Sequence, residues 1–264
     1  MRLPLCSTIL LLGLLCWGSA CSSPTRPSAA PLTLTQVSAI DALLAGGYDG
    51  QRSLSELHQY GDLGIGTFHA LDGEMILLDG VFYQARADGH IYRPDLRTTT
   101  PFASVVPFRA ESTTTLPHEV NLDQLSAAID ALQPSRNTLC VFRVQGTFRQ
   151  IKVRSVPAQQ KPYPPLVEVT KTQPVFDYTD RRGTLIGFRT PPFVKGLNVP
   201  GYHLHFLSDD RQVGGHVLAF TLVGGTLELS TCNRFDVLLP AEAASLAGLD
   251  LTKDRTKELE KAEK

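Results

Sequence analysis

Apolar and polar positions alternate along this chain with two different periods, and the switches between them outline its elements. In QVSAIDALLAGG, Val37, Ile40, Leu43 and Leu44 fall on one helical stripe, and Gly46-Gly47 supplies a stop. NLDQLSAAIDALQP repeats the pattern with Leu122, Leu125, Ile129 and Leu132, a cap at Asn121 and Pro134 just beyond the end. Between these helices, TFHALDGEMILLDGVFYQARADGHIY alternates in short runs broken by Asp72-Gly73, Asp79-Gly80 and Asp88-Gly89. Such Asp-Gly steps close tight hairpins, so this region reads as a meander of strands. LCVFRVQGTFRQIKVRSV alternates again, with Phe142, Val144 and Phe148 on its apolar face. Lys161-Pro162-Tyr163-Pro164-Pro165 interrupts any strand and marks a domain junction. From Val167 strands dominate, until the polar helical tail LDLTKDRTKELEKAEK. The order predicts an α+β fold of two domains, residues 34–163 and 164–264, with mixed, mostly antiparallel sheets and a few helices.

Composition narrows the partners. A formal net charge of −1 over 264 residues, without long basic or acidic runs, leaves no electrostatic footprint for nucleic acid or an anionic membrane surface. Small polar or anionic molecules remain.

The front end is a different kind of sequence. MRLPLCSTILLLGLLCWGSAC carries Arg2, an apolar stretch to Trp17 and small residues, the layout of a secretory signal over residues 1–20. Gly18-Ser19-Ala20-Cys21 resembles a bacterial lipobox, with Gly18 where Leu or Val is usual. Two readings follow: an acylated Cys21 that anchors a periplasmic or outer-membrane lipoprotein, or simple cleavage near Ala20 and secretion. Residues 21–33 then form a proline-rich tether. Only Cys140 and Cys232 remain for the folded part, either as a pair or as buried free thiols.

Candidate chemistry concentrates in GYHLHFLSDDRQVGGH, residues 201–216. Strand side chains alternate faces, so His203 and His205 point the same way. A turn through Ser208-Asp209-Asp210-Arg211 returns an antiparallel strand that brings His216 onto that face, with Gly214 and Gly215 giving the backbone room. Three imidazoles without a fourth protein ligand describe an open zinc site, and nitrogen donors alone also suit other divalent first-row metals. The remaining histidines, His58, His69, His90 and His118, read as surface or capping residues.

GYHLHFLSDDRQVGGHVL resembles the metal-binding segment of the bacterial alpha-acetolactate decarboxylases, and GDLGIGTFHALDGEMILLDGVFYQARADGHIY resembles their N-terminal signature. TPFASVVPF, QGTFRQIKVRSVPAQQKPYPPL and ALLAGGYDG carry the same likeness, from about Val37 to the tail. The resemblance implies a carboxy-lyase that converts 2-acetolactate to acetoin and carbon dioxide through a zinc-stabilised enediolate. It also implies a homodimer built on the N-terminal sheet, with the metal in the C-terminal domain. It makes His203, His205 and His216 the zinc ligands, and Glu74 and Arg154 active-site residues. A further active-site glutamate belongs in the tail, at Glu263 or, as second choice, Glu260. Taken alone, Glu74 reads as a turn-flanking surface acid and Glu263 as part of a solvated charged helix. Two other classes share the histidines: an exported zinc-dependent hydrolase with Glu74 as its base, and a non-catalytic metal-binding lipoprotein.

Overall fold

The computed structural model describes residues 31–263 apart from 118 and 241–243. The signal segment, Cys21, residues 21–30 of the tether and His118 lie outside the described residues.

The chain enters as β1 (Thr33–Val37) and α1 (Ile40–Leu44), then passes through β2 (Arg52–Ser53) and α2 (Leu54–Leu57). The expected meander follows as β3 (Leu63–Thr67), β4 (Glu74–Leu78), β5 (Val81–Ala85) and β6 (Ile91–Tyr92), each antiparallel to the next. Asp79 (φ 50°) and Gly80 (φ 76°) close the β4–β5 hairpin, the pair of positive φ values that matches strand twist. Asp72-Gly73 instead ends a longer loop between β3 and β4 that contains a single turn of 3-10 helix at His69–Leu71. β7 (Thr99–Thr100) pairs with β2, and β8 (Ala103–Val106) lies between β1 and β3.

A second series comprises β9 (Ser112–Leu116), α3 (Leu122–Leu132), β10 (Leu139–Arg154), α4 (Leu166–Val169), β11 (Val175–Thr190), β12 (Gly201–Ser208) and β13 (Gly214–Cys232). The chain then returns to the first sheet as β14 (Arg234–Leu238) and finishes with α5 (Ala244–Ala247) and α6 (Thr256–Ala262).

The first sheet has seven strands in the order β14-β1-β8-β3-β4-β5-β6, with β1 and β14 parallel. The second has the order β10-β11-β12-β13-β9, and β13 also pairs with β10, so four of its strands close a circuit. Phe142, Phe148, Phe206 and Phe220 fill that circuit, and Leu125 and Ile129 of α3 pack onto the same core. Ile65, Ile76 and Val106 meet Val141, Ile186 and Leu207 between the sheets. A third cluster joins α1, α4 and α6 through Ile40, Leu44, Leu166, Val169, Leu259 and Ala262.

Several expectations change in detail. Val37 is the last residue of β1, paired with Ala103 and Leu238, because Ser38 takes φ 59° and breaks the chain direction before α1 begins. Ile40, Leu43 and Leu44 are buried on the helix as the stripe requires, and Gly46 takes φ 97° just past its end. In α3, Asn121 and Gln124 form a reciprocal capping box, while Leu132 is 43% exposed rather than buried. The sheets do not divide at 163/164: β9 and β10 precede that point and belong to the second sheet, and β14 follows it and belongs to the first. Cys140 faces the core within the circuit and Cys232 the core between the sheets, so the two free thiols lie on opposite faces. The tail is not a solvated charge run, since Leu259 and Ala262 are buried.

Phe148 sits edge-on to Phe206 and Phe220 at centroid distances of 5.1 and 5.9 Å. Truncation by Phe148→Ala is expected to destabilise the fold by about 3–5 kcal/mol in denaturant titration. Leu132→Ala, at a half-solvated position, is expected to cost less than about 1 kcal/mol. Equal costs would contradict the placement of the core.

Candidate metal centre

His203 and His205 stand two residues apart on β12, and His216 on β13 is paired across from His205. The intervening Leu204 and Phe206 point into the circuit core, which leaves the three imidazoles on the opposite face, where β4 packs across β12 and β13. The two glycines of the return strand allow this approach. A Cβ on Gly214 would lie 2.5 Å from the Phe206 carbonyl oxygen, and one on Gly215 would lie 2.5 Å from that of Arg154. Arg154 ends β10 in register with His216, just past a register shift at Lys152/Val153 that re-aims the strand end. Glu74 opens β4. Glu263 arrives from the far end of the sequence, immediately after α6.

These six side chains converge. Arg154 Nη1 donates to Glu74 Oε1 at 2.8 Å, and its Nη2 donates to the Ala262 carbonyl at 3.0 Å. Glu74 Oε2 lies 3.6 Å from His205 Nε2, and Glu263 Oε2 lies 3.7 Å from Nε2 of both His203 and His216. Glu260 is exposed, so the tail presents Glu263 to the histidines. Burial dominates the electrostatics. It raises Glu74 to about 7, with Arg154 pulling down and Glu263 pushing up, and it raises Glu263 against the pull of Arg154. Burial also lowers His203 to about 3 and drives His205 and His216 well below the usual imidazole range, with Arg154 adding to each. The imidazoles are therefore neutral and each keeps one nitrogen lone pair, with His203 Nε2 and His216 Nδ1 3.1 Å apart and sharing a proton between them.

The donor set fits a cation. The ligand atoms of His203, His205 and His216 lie within 4.8 Å of one another, and among the described residues this is where such donors group. His205 Nδ1 is 2.9 Å from the Met75 carbonyl, which only accepts, so Nδ1 carries the proton and the bare Nε2 faces the cluster. His205 Nε2 and Glu263 Oε2 are buried without a hydrogen-bond partner. Orphaned buried acceptors cost about 1–3 kcal/mol each, a penalty that a coordinated cation would remove.

A family profile described as alpha-acetolactate decarboxylase matches residues 34–253. The chain belongs to the alpha-acetolactate decarboxylase family. The alpha-acetolactate decarboxylase of Methanosarcina mazei is 46% identical over 231 residues, 88% of this chain and 80% of that protein. That of Bacillus subtilis is 40% identical over 223 residues, 83% of this chain and 88% of its own length. The crystal structure of the Bacillus subtilis strain 168 enzyme superposes with a TM-score of 0.85 at 38% identity, covering 88% of this chain and 99% of that one. The profile match stops before Glu263, so the position of that acid rests on the structure.

The structure brings the six side chains singled out in the sequence into one pocket, together with supports that carry no sequence signal. The Met75 carbonyl, which fixes the His205 tautomer, has no side-chain signal. Thr67, which lines the cavity and donates to the Gly73 carbonyl at 2.7 Å, reads as an ordinary strand threonine. His58, His69 and His90 lie apart from the centre: His58 contacts the Gly80 carbonyl, His69 accepts from the Gly50 N–H, and His90 is exposed.

His205→Ala is expected to lower bound metal to about a tenth or less at equal total metal, measured by elemental analysis of dialysed protein, with the fold retained. Unchanged metal content would remove the triad from consideration. The metal-free protein carries a pH signature as well. Unfolded histidine titrates near 6.5, so below that pH the unfolded chain binds more protons than the three buried imidazoles, and stability falls as pH drops toward the His203 value of about 3. Glu74 and Glu263, raised from 4.5, act oppositely above that value and offset part of the loss. Three imidazoles outweigh two carboxyls, so melting is expected at lower temperature at about pH 5 than at about pH 6.5. A flat profile would contradict their burial.

Proposed function

We propose that the chain catalyses metal-dependent decarboxylation of 2-acetolactate to acetoin and carbon dioxide at the His203–His205–His216 centre. The observation that carries this reading is the convergence of three imidazoles, two carboxyls and one guanidinium in a buried pocket. Zinc held by the imidazoles would supply Lewis acidity to the ketone and hydroxyl oxygens of the substrate.

The chain's own groups account for the rest. Arg154 keeps Glu74 in place through Nη1 and holds the backbone before Glu263 through Nη2, and its positive charge beside the triad would draw the substrate carboxylate into the pocket. As the carbon–carbon bond to the carboxylate breaks, its electron pair passes into the adjacent ketone, giving an enediolate, and carbon dioxide departs. The enediolate carbon then takes a proton from Glu74 or Glu263, both of which hold protons above the ordinary carboxyl range because they are buried. A donor fixed on one side of the pocket delivers that proton to one face, so a single acetoin enantiomer is expected. The low-dielectric walls, including Leu43, Leu71 and Phe102, strengthen each of these contacts.

The signal-like segment and lipobox-like Cys21 support export with an acyl anchor, and the family supports a homodimer through the seven-stranded sheet. Residues 1–32 fused to a reporter are expected to direct it out of the cytoplasm; cytoplasmic retention would overturn the export reading.

Incubation of purified protein with racemic 2-acetolactate is expected to release acetoin and carbon dioxide in equal amounts, to stop with a chelator and to resume with zinc. Glu263→Gln is expected to lower kcat by about 100-fold or more while metal is retained. A metal-loaded wild-type protein without turnover would favour a binding module instead.

A further inference from the structure

The cavity at the triad measures about 30 Å³. That is room for a water molecule or two, not for a branched five-carbon hydroxy-keto acid. A second cavity of about 470 Å³ lies outside it, lined by Lys195, Val199, Tyr202, Arg255 and Leu259. Glu263 lines both. The wall shared by the small inner space and the large outer one is thus the end of the C-terminal segment itself.

That segment is fastened by side-chain docking, by ion pairs and by a bond between the Glu263 backbone and His216, with no ladder of strand bonds. Leu259 and Ala262 dock into the cluster with Ile40, Leu44, Leu166 and Val169. Inside, Arg154 Nη2 grips the Ala262 carbonyl at 3.0 Å. Outside, Lys195 Nζ meets Asp254 Oδ2 at 2.9 Å, with both side chains at least half exposed. Arg255 ties the segment to itself, bonding Glu258 and the Asp250 carbonyl. No strand of either sheet includes these residues, so the segment can leave without breaking a ladder.

We propose that residues 250–263 form a strap that undocks to join the two cavities and admit substrate, then redocks to seal them and present Glu263. Arg154 is the positioning residue that latches it: the guanidinium that orders Glu74 also holds the backbone beside Glu263, so both acids are assembled in one motion. The outer cavity is the vestibule for the small hydroxy-keto acid. Only the identity of that substrate rests on the decarboxylase reading.

The test uses metal-loaded, full-chain Lys195→Cys/Asp254→Cys joined by a short, cleavable bis-maleimide. Tethering is expected to lower kcat/KM by about ten-fold or more with metal content unchanged, and cleavage of the linker to restore it. Each single variant carrying the reagent at one end is the reference for obstruction of the vestibule, and the tethered protein is expected to fall about ten-fold or more below both references. Full turnover with the strap tethered overturns the proposal. Hydrogen exchange in residues 256–262 provides a readout that needs no substrate. Faster exchange than in β12, increased further by Arg154→Lys with metal retained, supports the latch. Protection equal to that of β12 overturns the strap even if acetolactate is consumed, and exchange as expected without acetolactate turnover overturns only the substrate assignment.

Discussion

Three imidazoles, two carboxyls and one guanidinium share a pocket from which water is nearly excluded, and the cost of charge in that pocket governs the rest of the structure. Burial keeps the imidazoles neutral and raises both carboxyls above the ordinary range, against the pull of Arg154. Arg154 is the fixed positive charge, 5% exposed at its side chain and bonded to Glu74. Breaking such a buried pair by removing one partner costs about 3–5 kcal/mol, because the remaining charge is stranded. The same low dielectric makes each electrostatic contact within the pocket stronger than it would be in water.

The fold serves that constraint by bringing distant segments to one seam. The circuit of β10 to β13 is packed with phenylalanines on its inner face, which holds β12 and β13 rigid and presents the histidines on the other. The first sheet contributes Glu74 and the Met75 carbonyl from β4. The last helix contributes Glu263, and Leu259 and Ala262 dock that helix onto the fold.

Legibility in the sequence followed the locality of the interaction. The histidine hairpin was readable because strand parity and a return turn are local rules, and His205 stands across from His216 as those rules require. The α3 cap at Asn121 and the Asp79-Gly80 turn were readable for the same reason. Val37 was misassigned because an apolar residue at helical spacing from Ile40 gives no sign that Ser38 adopts a positive φ. The division of the sheets was hidden because β14 rejoins β1 over some two hundred residues of intervening chain, a pairing that no local period records. Glu74 and Glu263 read as solvated acids in isolation and were placed by family resemblance; their burial is a property of the tertiary packing alone.

The coordination of a metal added to the protein tests the central claim most directly. X-ray absorption on zinc-loaded protein is predicted to show three imidazole nitrogens at about 2.0–2.1 Å with the remaining positions filled by oxygen. A shell containing sulfur, or fewer than three imidazoles, would contradict the account.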